Sequence, residues 1–220
     1  MPEISEAVRS TRQRLIEAAG ELFAEKGFKE TTVREISECA GANLAAVNYH
    51  FGDKEKLHEE VILHILSAIW KEFPINKDME EASSPEERLH LFVKNTIRRF
   101  IDPERPAWHG ILLARERMNP RPSILPAIHK TIAETIALLS SILQELMGPE
   151  AQAEDVELCT NSIMGQIFFQ AHLRSEGAPP LVRRPPATNE EVGILVDHIT
   201  TFSLAGTRQV RKTREDGNRK

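Results

Sequence analysis

Residues 31–54, TTVREISECAGANLAAVNYHFGDK, constrain this chain more than any other stretch. Apolar residues at Val33, Ile36 and Ala40 recur at helical spacing, Gly41 breaks the pattern, and a second short helix carries Val47 and Phe51 as inward positions. Each helix has a start signal. Thr32 followed by Glu35 fits a capping box, in which hydroxyl and carboxylate satisfy the N–H groups left open at a helix start. Asn43 suits the cap of the second helix. Helix, Gly-containing turn, helix is the outline of a helix-turn-helix, whose second helix can enter a DNA major groove.

The second helix is unusual because its outward face is small and polar rather than charged. Leu44, Ala45, Ala46, Asn48, Tyr49 and His50 surround the inward Val47 and Phe51. Ala45 and Ala46 leave room for base edges and can touch a thymine methyl, while Asn48 can pair with adenine or another edge. Tyr49, His50 and Lys54 are donors suited to phosphate oxygens, which set position without reading sequence. The same pattern also fits a short amphipathic connector in a helical domain.

The run from about Thr11 to Leu57, with TRQRLIEAAGELFAEKGF, TTVREI, AGA and NYHFGDKEKL, resembles the N-terminal domain of TetR-family transcriptional regulators. The resemblance implies a three-helix DNA-binding head (residues 1–53) on an all-helical ligand-binding and dimerisation body (54–207), about nine helices in all. It implies a repressor released by a small molecule, with no catalytic residues. Position by position, Thr31, Thr32, Asn43, Tyr49, His50 and Lys54 fall where the family contacts phosphates. Arg34, Leu44, Ala45, Ala46 and Asn48 fall where it reads bases. Many members have Lys or Ser at the place of Leu44 and an aromatic at the place of Asn48, so no relative's operator transfers to this chain.

With 220 residues the chain can hold one large or two modest domains. No apolar run reaches bilayer length and the N-terminus lacks a signal-peptide core, so a soluble cytoplasmic protein without membrane contact is expected. Cys39 and Cys159 show no metal or CxxC spacing and read as reduced, buried small apolar residues. The net charge is −5, and residues 1–60 alone carry −4. Phosphate contact depends on the local face rather than that sum, so modest non-specific affinity and a shallow salt dependence are expected.

In order, residues 1 to about 9 are expected to be disordered. The first helix starts near Ser10, with Gln13 completing a capping box, and its Leu15, Ala19, Leu22 and Phe23 share a core with Phe28, Val33, Ile36, Val47 and Phe51. Asp53 caps a fourth helix that runs to about Phe73 and joins head to body. Ser84, Pro85 and Glu87 start the fifth. The sixth spans about Trp108–Met118, the seventh about Ser123–Met147 with a stop at Gly148 and Pro149, and the eighth about Glu154–Ser175. The ninth runs from Asn189 to Ala205, with Thr188 and Glu191 as its box. A proline-rich link over residues 177–188 is too polar for core. From Arg208 a basic tail (208–220), net +4, reads as disordered, with a DNA-contacting arm as the lesser reading.

The segment DPERPAWHGILLARERMNPRP and the later ELCTNSIMGQIFF resemble the C-terminal domain of the CecR-type subgroup, associated with sensing antibiotics or other toxic organic compounds. In the family the last two helices pair with their copies in a second subunit. The expected interface of the homodimer is Ile163, Ile167, Phe168, Ala171, Leu195, Val196, Ile199 and Phe202, with Gly165 and Gly193 permitting close approach. Such a dimer requires a palindromic operator on double-stranded DNA. For an effector, an unidentified small organic molecule, Trp70, Phe73, Phe92, Phe100, Trp108, His109, Arg115, Met118, Ile124, Gln166, Phe169 and His172 can line an apolar cavity with a few polar groups.

Two other classes stay open on residues alone. Helical bundles hold di-metal sites through Glu-x-x-His pairs, and Glu55/His58 and Glu87/His90 have that spacing. Both acids sit in first turns, where capping explains them, so no metal and no cofactor are expected. A helical ligand-binding protein lacking specific DNA binding, or an activator, is the remaining alternative. No Gly-rich phosphate loop, nucleophile elbow or HExxH occurs.

Overall fold

In the computed structural model, which describes residues 10–118, 120–172 and 186–217, nine α-helices and one short 3-10 turn follow one another, with no strand among the described residues. They are α1 (Thr11–Lys26), α2 (Val33–Cys39), α3 (Ala45–Phe51), α4 (Lys54–Glu72), α5 (Pro85–Phe100), α6 (Ala107–Met118), α7 (Leu125–Met147), α8 (Ala153–His172) and α9 (Asn189–Gly217). The expected all-helical class holds among these residues. The disorder expected of residues 1–9 and most of the proline-rich link lie outside them.

The capping signals act largely as read. Thr32 and Glu35 form both halves of their box, Ser84 Oγ accepts from Glu87 N–H with Pro85 in the first turn, and Asp53 Oδ1 accepts from Lys56 N–H at 2.8 Å. Three details differ. Ser10 caps α1, but the Gln13 side chain donates to Glu17 and meets His64, so that box is half formed. Glu87 and Glu191 each reach back one residue further than a box requires, to the N–H groups of Ser83 and Ala187.

The chain divides into two compact units, residues 1–68 with 105–125, and residues 69–104 with 126–220. In the first, α1 is the central helix and packs against α2, α3 and α6. Leu15, Ala19, Phe23, Ile36, Val47, Leu57, Val61, Ile62 and Ile65 are buried there. Gly20 is the close approach between α1 and α6: a Cβ added to it meets the Trp108 indole, with Cη2 at 2.6 Å. Arg115 donates from α6 to the Phe23 carbonyl at 2.8 Å. His58 is buried against Phe23 and Phe28, ring centroids 5.1 and 5.3 Å away, and its Nδ1 has no hydrogen-bond partner. Burial, with the Arg121 charge as a smaller contribution, holds its imidazole down to about 4.

In the second unit α5, α8 and α9 pack on one another, with α7 contributing Leu139, Ile142, Leu143 and Met147 to the same core as Leu89, Phe92, Ile163, Ile167, Val196 and Ile199. The basic tail is a correction. Residues 208–217 continue α9 as helix, because the spacing of Arg208, Arg211 and Arg214 puts all three on one face. Arg208 pairs with Glu86, Arg211 donates to the Leu146 carbonyl at 3.3 Å, and Arg214 grips the buried Asp155 with two bonds of 2.7 and 2.9 Å. A second correction concerns Cys39, which is exposed at the end of α2, whereas Cys159 is buried as expected. Helix α2 turns only one side inward, and Ile36 and Ser37 occupy it.

Two outcomes test the first unit. Gly20→Ala should destabilise it by about 1–3 kcal/mol through overpacking, and in a Trp108→Ala background the same change should be neutral or stabilising, read from denaturant midpoints. For His58, folded and unfolded chains are both neutral above the ordinary histidine value of about 6.5. As pH falls from there towards 4, only the unfolded chain takes the proton, so stability drops by about 2–3 kcal/mol over that window. His58→Leu should remove that part of the slope and leave the part due to His109, which burial and Arg105 also hold at about 4.

Candidate nucleic-acid interface

Helices α2 and α3 have seven residues each, too few to persist alone. Their geometry is imposed from both ends. At the start of α2, Glu35 accepts from Lys26 Nζ at 2.8 Å and from both the N–H and the hydroxyl of Thr32 at 2.8 Å. The Lys26 ammonium, then the Thr32 donors, hold its carboxyl down to about 2. At its end, Gly41 N–H donates to the Glu38 carbonyl and Ala42 N–H to the Ser37 carbonyl. That Schellman arrangement needs a left-handed residue, and Gly41 has φ 58°. Arg14 Nε donates to the Ala40 carbonyl at 3.1 Å, which fastens this turn to α1.

Asn43 then opens α3 by accepting from Ala45 N–H at 2.9 Å, while Leu44 already has helical backbone angles of φ −52° and ψ −35°. Val47 and Phe51 point inward, with the Arg12 guanidinium 5.3 Å from the Phe51 ring centre. Outward, Leu44 is 55% and Tyr49 84% exposed. Ala45 and Asn48 are exposed, and Ala46 and His50 half-buried. The Tyr49 and His50 rings meet edge to face at 5.0 Å.

The structure separates the remaining expected contact residues by what their side chains already do. Thr32 is exposed and its hydroxyl serves the capping box. Thr31 is fully buried and its hydroxyl donates to the Leu22 and Gly27 carbonyls at 3.2 and 2.8 Å, so it locks the end of α1 instead of facing outward. Lys54 Nζ donates to the Phe28 and Thr31 carbonyls at 3.0 and 2.9 Å and lies 4.4 Å from the Phe28 ring centre. Its charge clips the α1–α2 connection to α4. Arg121 flanks the Phe28 ring too, at 4.3 Å. Arg34 is exposed and paired with Glu38 across one helical turn, a solvent-screened surface contact easily exchanged for a phosphate.

Sequence reasoning passed over Arg14, Lys26 and Arg121, because each acts on a partner outside its own element, from the nearby Glu35 of Lys26 to the distant Phe28 of Arg121. Of the interface residues expected on the last two helices, Phe168 and Phe202 are exposed and four others are buried. Ile163, Ile167, Val196 and Ile199 are at most 2% exposed within the single chain and face its own core. Leu195 is half-buried, and the Ala171 side chain lies outside the described residues. Leu158, Phe168, Phe169, Ile194 and Phe202 are the exposed apolar side chains there. A Cβ at Gly165 or Gly193 would meet nothing within 4 Å, so both positions are open to an approaching helix. Two apolar stripes run along these helices, and spacing does not say which one the chain covers itself.

The effector candidates fall in both units. Trp108, His109, Arg115 and Ile124 belong to the first, where Trp108 and His109 meet edge to face at 4.0 Å, Arg115 holds the end of α1 and Ile124 is buried. In the second, Phe73 and Phe92 are core, Trp70 is half-buried, Phe100 contacts Phe168 at 5.4 Å, Gln166 donates to the Ser162 carbonyl and Phe169 is 50% exposed. The Met118 and His172 side chains lie outside the described residues. Among the described residues no three of His, Cys, Asp and Glu gather to hold a metal, and no helix is long and apolar enough to cross a membrane.

Residues 15–61 match a family model described as bacterial regulatory proteins, tetR family. Residues 85–207, more than half of the chain, match one described as the C-terminal domain of the HTH-type transcriptional dual regulator CecR. The chain is similar to the HTH-type transcriptional repressor KstR2 of Mycolicibacterium smegmatis, 33% identical over 88 residues, 40% of this chain and 42% of that protein. It is also similar to the HTH-type transcriptional regulator BetI of Brucella canis, 32% identical over 94 residues, 42% of this chain and 46% of that protein. The matched stretch thus spans under half the length of either relative. Among solved structures, the TetR-family regulator PfmR from Thermus thermophilus shares the fold with a TM-score of 0.61 at 22% identity, covering 88% of this chain and 97% of that one. FadR from Bacillus subtilis, solved in complex with stearoyl-CoA, shares it with a TM-score of 0.62 at 18% identity and the same coverage. Both matched domains are described as parts of transcriptional regulators and neither as an enzyme, and the chain belongs to the TetR family, with a C-terminal domain of the CecR type.

Proposed function

We propose that this protein is a homodimeric, ligand-responsive transcriptional repressor that binds a palindromic operator through α3 and leaves it when a small organic molecule binds the body. The observation that carries the reading is the outward face of α3. Tyr49 is 84% exposed, the Asn48 side chain is exposed beside it, and Arg14 and Lys54 fasten the turns at either end of α2 that set the position of α3. Such a face suits a groove, and one seven-residue helix reads too few bases by itself. Two-fold pairing supplies the second reading helix, with half-sites about 34 Å apart or a multiple of that.

The pairing surface is proposed on the outward side of α8 and α9, at Leu158, Phe169, Ile194 and Phe202 with the open Gly165 and Gly193. Residues 54–207 hold the effector, and α4 joins the two functions because the chain runs through it from the head into the body. Effector binding favours a state whose two heads are wrongly spaced for successive major grooves. Support for a ligand-binding body comes from the FadR neighbour, solved with stearoyl-CoA. The setting for this activity is the bacterial cytoplasm, where the operator is.

Selection of sites from a random DNA pool, followed by anisotropy titration at two salt concentrations, tests the DNA reading. A palindromic consensus is expected. Tyr49→Ala should weaken binding to every sequence, whereas Asn48→Ala should relax preference at one position by about 1–3 kcal/mol. Uniform loss for Asn48→Ala would remove it from the base-reading set. Stearoyl-CoA is the first effector to add to the same titration, and a bound effector that leaves operator affinity unchanged at saturation would discard the release mechanism. For the pairing surface, Phe202→Glu should convert a dimer to a monomer in sedimentation while leaving the helical circular dichroism intact. An unaltered dimer would place the interface elsewhere.

A further inference from the structure

The outward face of α3 has a property that bears on which bases it reads. Residues 44–51, LAAVNYHF, contain no Lys or Arg. The commonest specific contact to guanine is a bidentate Arg or Lys on O6 and N7, and this helix offers none. Lys54, just beyond it, is committed to the Phe28 and Thr31 carbonyls. Arg34 belongs to α2 and pairs there with Glu38. His50 is half-buried, with its ring against Tyr49.

What the helix offers instead is an apolar first turn. Leu44 is 55% exposed although it lies within the helical turn, and Ala45 beside it is exposed as well. Asn48 sits one turn after Leu44, and Tyr49 one turn after Ala45, so the two pairs form adjacent rows on the same side. An exposed leucine is ordinary on a protein surface. Its place at the leading end of the reading helix is not, because an aliphatic side chain desolvates any base edge it covers. Against cytosine N4 or guanine O6 that desolvation leaves a polar group without a partner. Against thymine it covers a methyl group, with a gain from apolar burial.

Resting on the DNA-binding reading above, we infer that α3 selects A·T pairs at the centre of each half-site: Leu44 and Ala45 pack on thymine C5-methyl groups, and Asn48 pairs with the N6 and N7 of an adenine. Leu44 is the specificity-determining residue of this set, and Tyr49 contributes position without base choice.

The test uses the full chain and the site obtained by selection. Each central thymine is replaced by deoxyuridine, which removes the methyl group and keeps the hydrogen-bonding edges. Wild-type protein should bind about fourfold more weakly for each contacted thymine so changed, the value of burying one methyl-sized group. Leu44→Ala should bind the unmodified site more weakly and lose the difference between thymine and uracil at its own position. Because Leu44 is on the surface, an unchanged unfolding midpoint should accompany that loss. Equal binding of the thymine and uracil sites by wild type overturns the inference, and so does a selected consensus with G·C pairs facing the first turn of α3. A pool with no enriched sequence instead overturns the DNA-binding reading itself, an outcome distinct from either of those.

Discussion

Two seven-residue helices carry the candidate interface, and helices that short do not persist in water unless something else holds them. The rest of the first unit is organised around supplying that hold. Glu35 ties the start of α2 to Thr32 and to Lys26 at the end of α1. Gly41 takes the left-handed turn that lets α2 stop and α3 begin at a fixed angle. Arg14 and Lys54 fasten the two turns from opposite sides by donating to main-chain carbonyls. The ties made by Arg14 and Lys54, and that of Glu35 to the Thr32 N–H, are charge-assisted bonds to backbone groups. Val47 and Phe51 then need only be buried for the outward residues to be aimed.

In this arrangement Lys54, expected at a phosphate, already donates to the Phe28 and Thr31 carbonyls. A cation used to close a helix end is no longer available to a phosphate without loosening the frame. Phe28, flanked by Lys54 and Arg121 and packed against His58, shows the same economy in an aromatic setting. The outward face of α3, residues 44–51, carries no Lys, Arg, Asp or Glu.

The second unit follows a different rule. Its core is a conventional packing of α5, α7, α8 and α9, and what distinguishes it is a second set of apolar side chains on α8 and α9 that is exposed among the described residues. Arg208, Arg211 and Arg214 extend α9 beyond that core by pairing with Glu86, the Leu146 carbonyl and Asp155. A run of basic residues that reads as a solvated tail is therefore part of a helix, because its partners lie 59 to 122 residues away along the chain.

The sequence by itself determined the local events. Helix starts at Ser10, Thr32, Asp53 and Ser84, the stop at Gly148 and the turn at Gly41 depend on groups within a few residues of one another, and their chemistry shows in the order of letters. It also carried the family, since the pattern over residues 15–61 is dense and continuous. Only the tertiary structure decided which face of α8 and α9 is inside, whether Thr31 and Lys54 point to a ligand or to the frame, and that α6 packs on α1 through the notch at Gly20. Helical periodicity marks an apolar side but does not name what covers it, and a donor's partner is chosen by proximity in space, which a string of residues does not contain.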